Sequence, residues 1–284
     1  MSKPRKILIT GSAGQLGSEL SALMQDDSAF CVTSAPHRML DVTSEASWRQ
    51  VLQAVRPDIV VNCAAYTAVD RAESDADAAT AVNATAPGIL ARTAPEGTRI
   101  IHISTDYVFD GAADRPYTED DAPAPLSVYG RTKLLGERAL LSERPDSMVI
   151  RTGWLYSAHN RNFLTTMLDL ARQGRALAVV DDQTGVPTAA PGLARAIAGI
   201  CRAGIIAGTY HYSAAGQATW YGFACEIFSL AGLSPQLTPT TTEAYGAPAP
   251  RPRYSVLDTS RIRAAYAIDL PTWQQELRTI LQQR

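Results

Sequence analysis

Apolar runs alternate with amphipathic stretches along the first half of the chain. The runs KILIT, FCVTSA, PDIVVNCAA and TRIIHIST are rich in β-branched residues and predict strands. Between them, QLGSELSALM, SEASWRQVLQAV (with Ser44 as N-cap) and the long segment ESDADAATAVNATAPGILARTA predict helices. Asp41 and Val42 are expected at the end of a short additional strand. Strands that alternate with helices of about 10 to 15 residues indicate βαβ units. The prediction is therefore an α/β fold with a doubly wound parallel sheet (Rossmann-like).

The alternation loosens beyond about residue 155, after a further predicted strand in MVIRTGWLY. NFLTTMLDLARQG, APGLARAIAGICRAG and TWYGFACEIFSLAGL (capped by Thr219) predict helices, GTYHYSAAG predicts a strand and turn, and APAPRPR predicts an extended loop. We expect a cofactor-binding domain over residues 1–150, on which parts of 188–215 pack back. Residues 151–284 are expected to form mainly a smaller, discontinuous substrate lobe over the carboxyl ends of the strands, where open α/β sheets bind ligands.

Charge and composition exclude several classes of function. A net charge of −2 over 284 residues gives no electrostatic footprint for nucleic acid or an anionic membrane surface. The apolar runs are shorter than the roughly 18 residues that span a bilayer. The start MSKPRKILIT has too short an apolar run for a signal peptide, so a cytoplasmic location is expected. The four cysteines occur in no CxxC pair, and each lies beside apolar residues, so they are interpreted as buried reduced thiols. The four histidines lack metal-site spacing, so no metal site is predicted.

A glycine-rich turn joins the first predicted strand to the first predicted helix. Gly11, Gly14 and Gly17 have the GxxGxxG spacing. Such glycines permit a tight turn, a close approach of backbone to a pyrophosphate and close packing of helix on strand. The alternative is an ordinary glycine-rich turn, but its place directly after a strand favours dinucleotide binding.

The residues after the second strand bear on the choice of cofactor. An acid about 20 residues after the glycines binds the adenosine ribose of NAD, yet residues 29–40 contain no Asp or Glu and do contain His37 and Arg38. This favours NADPH slightly over NADH. Asp41 is a candidate to accept a hydrogen bond from the adenine amino group; a simple acid flanking the next helix is an equal alternative.

Tyr129 and Lys133 stand four residues apart, on one face of a predicted helix that begins near Ser127. Only three residues of the chain are lysines, the others being Lys3 and Lys6. A phenol near pKa 10 is a weak acid and base at neutral pH, and a neighbouring ammonium is expected to lower that pKa. Ser104 and Thr105, at the end of a preceding strand, offer a hydroxyl to a carbonyl oxygen. An amphipathic helix with an exposed cation is the simpler alternative.

These motifs resemble the extended short-chain dehydrogenase/reductase family, and within it the reductases that catalyse the last step in the synthesis of dTDP-L-rhamnose. The similarity covers nearly the whole chain, through GSAGQLGSEL, LDVTS, RPDIVVNCAAYTAVDRAES, STDYVFDG, PLSVYGRTKLLGE, LAVVDDQTGVPT, TWYGFA and RPRYSVLDTSRI. The resemblance implies the catalytic set Thr105, Tyr129 and Lys133. It implies cofactor contacts at Gly11, Gly14, Gln15, Leu16, Gly17, Asp41, Val42, Ala64, Ala65, Tyr66, Thr67, Tyr129 and Lys133. It implies sugar contacts at Thr105, Asp106, Tyr129 and Trp154.

The same resemblance implies a dTDP-sugar substrate whose C4 ketone is reduced. It also implies homodimers bridged by a magnesium ion, for which the sequence reveals no ligands. Asn162 is a candidate contact for the nucleotide diphosphate, or equally a polar loop residue. Gly153 stands where a Ser is expected and Tyr66 where a His is expected. The alternatives are a sugar-nucleotide epimerase or 4,6-dehydratase, disfavoured by the missing acid after the second strand and by Tyr107 after Asp106, and a non-catalytic regulatory subunit.

Overall fold

The computed structural model describes residues 3–283. Its strands are β1 (Arg5–Thr10), β2 (Phe30–Ala35), β3 (Ile59–Asn62), β4 (Arg99–Thr105), β5 (Met148–Thr152), β6 (Leu155–Tyr156), β7 (Leu177–Val180), β8 (Thr184–Gly185), β9 (Thr188–Ala189), β10 (Gly208–His211), β11 (Ala218–Thr219) and β12 (Leu237–Thr240). Its α-helices are α1 (Gln15–Gln25), α2 (Glu45–Val55), α3 (Val69–Ala72), α4 (Ala76–Thr80), α5 (Ala86–Thr93), α6 (Val128–Glu143), α7 (Phe163–Arg172), α8 (Ala190–Ala203), α9 (Trp220–Ala231), α10 (Thr242–Tyr245), α11 (Ser260–Tyr266) and α12 (Trp273–Gln282).

A parallel six-stranded sheet organises the fold. Its order is β2-β1-β3-β4-β5-β10, and each neighbouring pair runs parallel. From β1 the chain first passes to β2 on one side, and it then crosses back to place β3 on the other side of β1. The loops at this switch point diverge and leave a crevice beyond the carboxyl ends of the strands. The predicted doubly wound parallel sheet is confirmed.

Both faces of the sheet are covered by helices. On one face, α1 and α8 pack side by side, and Ile9, Leu20 and Ile197 belong to their common core. On the other face, α2, α5 and α6 cover a core that includes Trp48 and Leu90. Because both faces are buried, β4 reads as a nearly continuous apolar run, as expected of a strand in a parallel sheet.

Three local expectations differ from the structure. Cys31 and Cys225 are exposed, although all four cysteines were expected to be buried. The short strand predicted to end at Asp41 and Val42 is wrong, because the chain turns after β2, where the Met39 N–H donates to the Pro36 carbonyl. The long helix predicted from residue 73 is broken by a π-helical segment at Ala81–Thr85. Pro87 has no N–H to donate to the carbonyl four residues earlier, which disfavours a regular α-helical ladder at that point.

A second core lies beyond β5. It is built from α7, α9 and α12, with Tyr156, Leu164, Phe223 and Leu277 among its buried members. The predicted helix caps are present here, since the Thr219 hydroxyl accepts a hydrogen bond from the Gly222 N–H at 3.0 Å. The small ribbon of β8 and β11 runs along the edge of this core toward the central sheet.

One acid is buried where this second core meets α8. Glu276 is 4% exposed, and its Oε2 accepts a hydrogen bond of 3.3 Å from the Ala189 N–H at the start of α8. The Nη2 atom of Arg195 lies 3.5 Å from the other carboxyl oxygen. Burial raises the pKa of Glu276 to about 7, against the opposing effects of the Ala189 N–H and Arg195.

This raised pKa predicts a stability that depends on pH. The folded chain binds the Glu276 proton more tightly than the unfolded chain, so the contribution is complete below about pH 4.5 and is lost as the pH rises through about 7. The unfolding free energy should therefore fall between pH 5 and pH 8. In Glu276→Gln this fall should be smaller by about 2–3 kcal/mol. Urea unfolding at both pH values measures this, with the exposed Glu143→Gln as control. An unchanged pH dependence in Glu276→Gln would contradict the assignment.

Candidate active site

A cavity of about 1000 Å³ opens at the carboxyl edge of the central sheet. The glycine turn after β1 forms one wall, and the loop after β3 forms another. The ends of β4 and β5 and the first turns of α6 form its floor, and the segments around Trp154, Asn160, Trp220 and Arg251 face it from the second core. The cavity thus joins the glycine turn and the Tyr129–Lys133 helix in one site.

The glycine turn is shaped by close backbone contacts. Gly11 has φ +60°, and a Cβ there would lie 2.8 Å from the Ala64 backbone. A Cβ on Gly17 would lie 2.3 Å from the Gly11 carbonyl oxygen. Gly14 is the N-cap of α1 and has no side chain to cap the helix, so the first N–H groups of α1 are free for an anionic ligand. These features fit a dinucleotide pyrophosphate.

The loop after β3 is held in place by Asn83. The Tyr66 N–H donates to Asn83 Oδ1 at 2.8 Å, and Asn83 Nδ2 donates to the Tyr66 carbonyl at 3.0 Å. The Tyr66 hydroxyl donates to Asp75 Oδ2 at 3.0 Å. As a result, Ala64, Ala65, Tyr66 and Thr67 all line the cavity. Asn83 was missed in the sequence because its partners lie on a separate segment.

Asp41 and Val42 line the cavity next to His37. Asp41 Oδ1 accepts hydrogen bonds from the Thr43 hydroxyl at 2.7 Å and from the Thr43 N–H at 2.9 Å. These bonds lower the pKa of Asp41 and keep it ionised. The Asp41 side chain therefore stabilises the turn before α2 and also borders the cavity. Its position is compatible with both alternatives for Asp41, an acid that flanks the helix and a contact for adenine.

Lys133 is a buried cation. Helix α6 begins at the Ser127 cap, whose hydroxyl accepts from the Gly130 N–H at 3.1 Å, as predicted. Lys133 is 1% exposed, and its Nζ donates to the Ile103 carbonyl at 2.6 Å. Burial lowers the pKa of Lys133 to about 8, and the Glu137 carboxylate acts in the opposite direction. The simpler alternative of an exposed cation at this position is excluded.

The pKa of Tyr129 differs from the expected direction. Burial raises it to about 12, the Thr105 hydroxyl opposes this rise, and the Asp106 carboxylate adds to it. A neighbouring ammonium was expected to lower the pKa, but desolvation of the phenolate dominates and the pKa moves the other way. Tyr129 therefore keeps its proton at neutral pH, which suits a group that donates a proton.

Thr105 and Asp106 lie beside Tyr129. The Thr105 hydroxyl donates to Asp106 Oδ1 at 3.1 Å, whereas the Ser104 hydroxyl points to Glu137, so Thr105 is the hydroxyl next to the phenol. Asp106 is 2% exposed, and burial raises its pKa to about 6. A Cβ on Gly153 would lie 2.5 Å from the Asp106 carboxyl. Gly153 thus leaves the space that Asp106 fills.

A buried ion pair supports the Lys133 helix from behind. Arg151 Nη2 donates to Glu137 Oε2 at 2.7 Å, and Arg151 Nε donates to Glu137 Oε1 at 3.0 Å. The Arg151 guanidinium lies 5.3 Å from the centre of the Phe109 ring. The sequence carried a signal for this pair, since Arg151 interrupts an apolar strand and Glu137 lies one helical turn after Lys133.

Known proteins are similar to this chain over nearly its whole length. A family described as RmlD substrate binding domain matches residues 5–284. The chain belongs to this RmlD family. It is 46% identical, over 95% of its length and 92% of the relative's, to a probable dTDP-4,6-dihydroxy-2-methyloxan-3-one 4-ketoreductase of Streptomyces antibioticus. It is 40% identical to the dTDP-4-dehydrorhamnose reductase of Escherichia coli K12, over 97% of this chain and 96% of that one. The crystal structure of dTDP-4-dehydrorhamnose reductase from Bacillus anthracis in complex with NADP superposes with a TM-score of 0.95 at 34% identity, covering 99% of this chain and all of that one.

In this RmlD-family chain, one predicted site residue lies apart from the cavity. Asn162 caps α7, where its Oδ1 accepts from the Thr165 N–H at 3.0 Å and its Nδ2 donates to the Ser157 carbonyl at 2.9 Å. Its position gives no support to the expected contact with a diphosphate. The neighbouring Asn160 and Arg161 line the cavity instead.

Two further cavity residues of this RmlD-family protein, Arg251 and Tyr107, lie in quoted segments of the sequence but were not predicted as site residues. Arg251 Nη2 donates to Asp70 Oδ2 at 2.9 Å, which links the APAPRPR loop to α3. Tyr107 packs edge-on against Tyr129 with ring centres 5.6 Å apart.

None of the helices in residues 3–283 has the length and apolarity to cross a membrane. The same stretch contains no cluster of three or more His, Cys, Asp or Glu side chains that could hold a metal ion.

Proposed function

We propose that this protein reduces the C4 ketone of dTDP-4-dehydro-6-deoxy-L-mannose, giving dTDP-L-rhamnose. The observation that carries the proposal is the presence of Thr105, Tyr129 and buried Lys133 in the same cavity as the glycine turn. Relatives at 40–44% identity over nearly the whole chain are named dTDP-4-dehydrorhamnose reductase, in agreement with this reading.

The cofactor in this proposal is a nicotinamide dinucleotide. The turn of Gly11, Gly14 and Gly17, with Gln15 and Leu16, binds the pyrophosphate at the start of α1. Asp41 and Val42 border the adenine, and the loop from Ala64 to Thr67 borders the nicotinamide half. The NADP in the Bacillus anthracis structure supports this choice. We propose a preference for NADPH over NADH, because His37 and Arg38 are suited to a 2′-phosphate and no acid precedes them near the end of β2.

In this proposal the chain has two parts, one that binds the dinucleotide and one that binds the sugar nucleotide. Residues 1–150 bind the dinucleotide, and α8 and β10, from the region 188–215, complete that domain by packing on α1 and β5. Residues 151–284 otherwise form the sugar-nucleotide lobe around the second core. The cleft between the two parts corresponds to the cavity described above.

The chemistry uses a small set of side chains. When bound, the reduced dinucleotide supplies the hydride. Tyr129 donates its phenolic proton to the ketone oxygen as negative charge develops there. The Thr105 hydroxyl turns from Asp106 to donate a hydrogen bond to the same oxygen. Lys133 has two further N–H donors beside the one used by Ile103, and these hold ribose hydroxyls.

The rest of the proposed site orients the sugar. Trp154 offers an apolar face to the ring, and Asp106 accepts hydrogen bonds from its hydroxyls. A cytoplasmic homodimer is part of the proposal by family resemblance. Within residues 3–283, one chain offers no cluster of metal ligands, so a bridging magnesium ion would need ligands from both protomers.

The direct test is turnover of the freshly generated dTDP-4-keto sugar with NADPH and with NADH. We expect oxidation of both, a higher kcat/KM with NADPH, and dTDP-L-rhamnose as product. Absorbance of the reduced cofactor gives the rate, and NMR of the isolated product identifies the sugar. Failure to oxidise either cofactor would contradict the proposal and favour a non-catalytic subunit.

A second candidate substrate comes from the Streptomyces antibioticus relative. That protein is named as a 4-ketoreductase of a different dTDP-linked keto sugar, and it shares 46% identity with this chain. The same assay with that sugar separates the candidates, because the proposed enzyme should have the higher kcat/KM with the rhamnose precursor.

A further inference from the structure

Trp154 has an unusual backbone conformation at the cavity wall. Its φ is +50°, in the left-handed region that a bulky side chain rarely adopts. Its backbone carbonyl accepts a hydrogen bond from the Thr188 N–H at 3.1 Å. Strain of this kind persists only where surrounding contacts fix the conformation, and it concentrates at ligand sites. The contacts that hold Trp154 in this position therefore matter for what the cavity accepts.

The indole of Trp154 lies flat against that of Trp220. Their ring centres are 3.5 Å apart and the planes differ by 4°. We call Trp154 and Trp220 the indole pair. Both residues line the cavity, although they lie 66 positions apart in the sequence. The stack with Trp220 covers one face of the Trp154 indole, and Trp154 still lines the cavity.

The β8–β11 ribbon supplies both partner surfaces of Trp154. Gly185 lies on β8, and a Cβ there would come within 2.4 Å of the Trp154 indole. Gly185 pairs with Ala218 on β11, two residues before Trp220. One small ribbon thus contacts the Trp154 indole twice, through Gly185 and through Trp220.

Trp220 is itself held by polar and aromatic contacts. Its Nε1 donates to Gln183 Oε1 at 3.2 Å, and Gln183 Nε2 donates to the Thr242 hydroxyl at 2.9 Å. Gln183 is buried, so this hydrogen bond is shielded from water. The Phe163 ring packs 4.7 Å away, tilted against Trp220. Trp220 therefore has a defined orientation before any ligand binds.

We propose that Trp220 is a positioning residue that fixes Trp154 in the orientation that binds the sugar ring. The inference rests on the proposed function, since it takes the hexose of a dTDP-sugar as the ligand of Trp154. Trp220 acts through Trp154 and takes no part in proton or hydride transfer. Its loss should weaken sugar binding and leave binding of the nucleotide part and of the cofactor unchanged.

Circular dichroism and calorimetry test this proposal. Stacked indoles couple electronically, and we expect the coupling to give a bisignate band. Trp220→Leu should abolish this band, and the matched control Trp273→Phe should keep it because Trp273 is outside the pair. In Trp220→Leu, the Kd for dTDP-L-rhamnose should rise about 5- to 10-fold, the range expected for loss of an aromatic stack. The Kd values for dTDP alone and for NADPH should change less than about 2-fold on the same scale.

Two further variants keep the test decisive if Trp220→Leu folds poorly. Trp220→Phe should lose the bisignate band but keep a Kd for dTDP-L-rhamnose close to that of the unaltered protein, because a stacked ring remains. Gln183→Leu retains both indoles and should weaken the band by freeing Trp220.

Two results would overturn the proposal. One is a bisignate band that survives in Trp220→Leu, and the other is an equal loss of affinity for dTDP and dTDP-L-rhamnose, which would place Trp220 on the nucleotide. If the unaltered protein binds no dTDP-L-rhamnose, the proposed function fails; loss of the band in Trp220→Leu would still establish that the two indoles stack in solution.

Discussion

Tyr129→Phe should lower kcat by at least about 100-fold, the usual contribution of a positioned proton donor. Phe keeps the ring that packs against Tyr107, so the cavity retains its shape. The burial that raises the pKa of Tyr129 to about 12 keeps the phenol protonated throughout the neutral range. The loss should therefore appear in kcat, while the Kd values for dTDP-L-rhamnose and NADPH stay close to those of the unaltered protein.

Steady-state kinetics with the dTDP-4-keto sugar measure this effect. Tyr210→Phe is a matched control, because it removes a phenolic hydroxyl from β10, outside the cavity. A Tyr129→Phe enzyme with kcat within a few-fold of the unaltered protein would show that another group donates the proton.

The second large effect should come from Arg151→Met. Removal of the guanidinium leaves the Glu137 carboxylate, which is 2% exposed, without the cation that is hydrogen-bonded to it. Breaking one partner of a buried ion pair costs about 3–5 kcal/mol of unfolding free energy. Urea unfolding at pH 7 measures the change.

A double variant separates the ion pair from simple packing. Replacing both partners, as in Glu137→Leu with Arg151→Met, should recover most of the lost stability, because no unpaired charge remains. Arg49→Met, which breaks an exposed pair with Glu45 on α2, should change the stability little. A double variant as unstable as Arg151→Met would contradict this account.

Local signals explain what the sequence could predict. The caps at Ser44, Ser127 and Thr219 depend on residues three positions away, and all three hydroxyls accept the expected hydrogen bonds. Gly11 and Gly17 are likewise required by close backbone contacts, which form within the first βα unit and with the segment after a neighbouring strand. Such features can be read from short stretches of sequence.

Contacts between distant segments explain what the sequence could not predict. Asn83 binds the backbone of Tyr66, and Arg251 binds Asp70, which lies 181 positions earlier. The packing of Trp220 on Trp154 is of the same kind. These pairings depend on the tertiary fold, because the two partners of each pair lie on separate segments of the chain.

The electrostatics of Tyr129 and Lys133 also depend on the fold. Proximity of a cation to a phenol can be inferred from spacing, but the extent of burial cannot. Desolvation raises the pKa of Tyr129 and lowers that of Lys133. The spacing predicted that Tyr129 and Lys133 serve one site, and burial decides the direction in which each pKa moves.

The central claim is that the cavity carries hydride from a nicotinamide to C4 of a dTDP-linked keto sugar. Its most direct test uses NADPH labelled with deuterium, in separate experiments, at each of the two positions of nicotinamide C4. Mass spectrometry and NMR of the product locate the label. We expect one of the two labelled cofactors to give dTDP-L-rhamnose with a single deuterium at C4 of the sugar. A product without deuterium from either cofactor, or with deuterium at another carbon, would contradict the account.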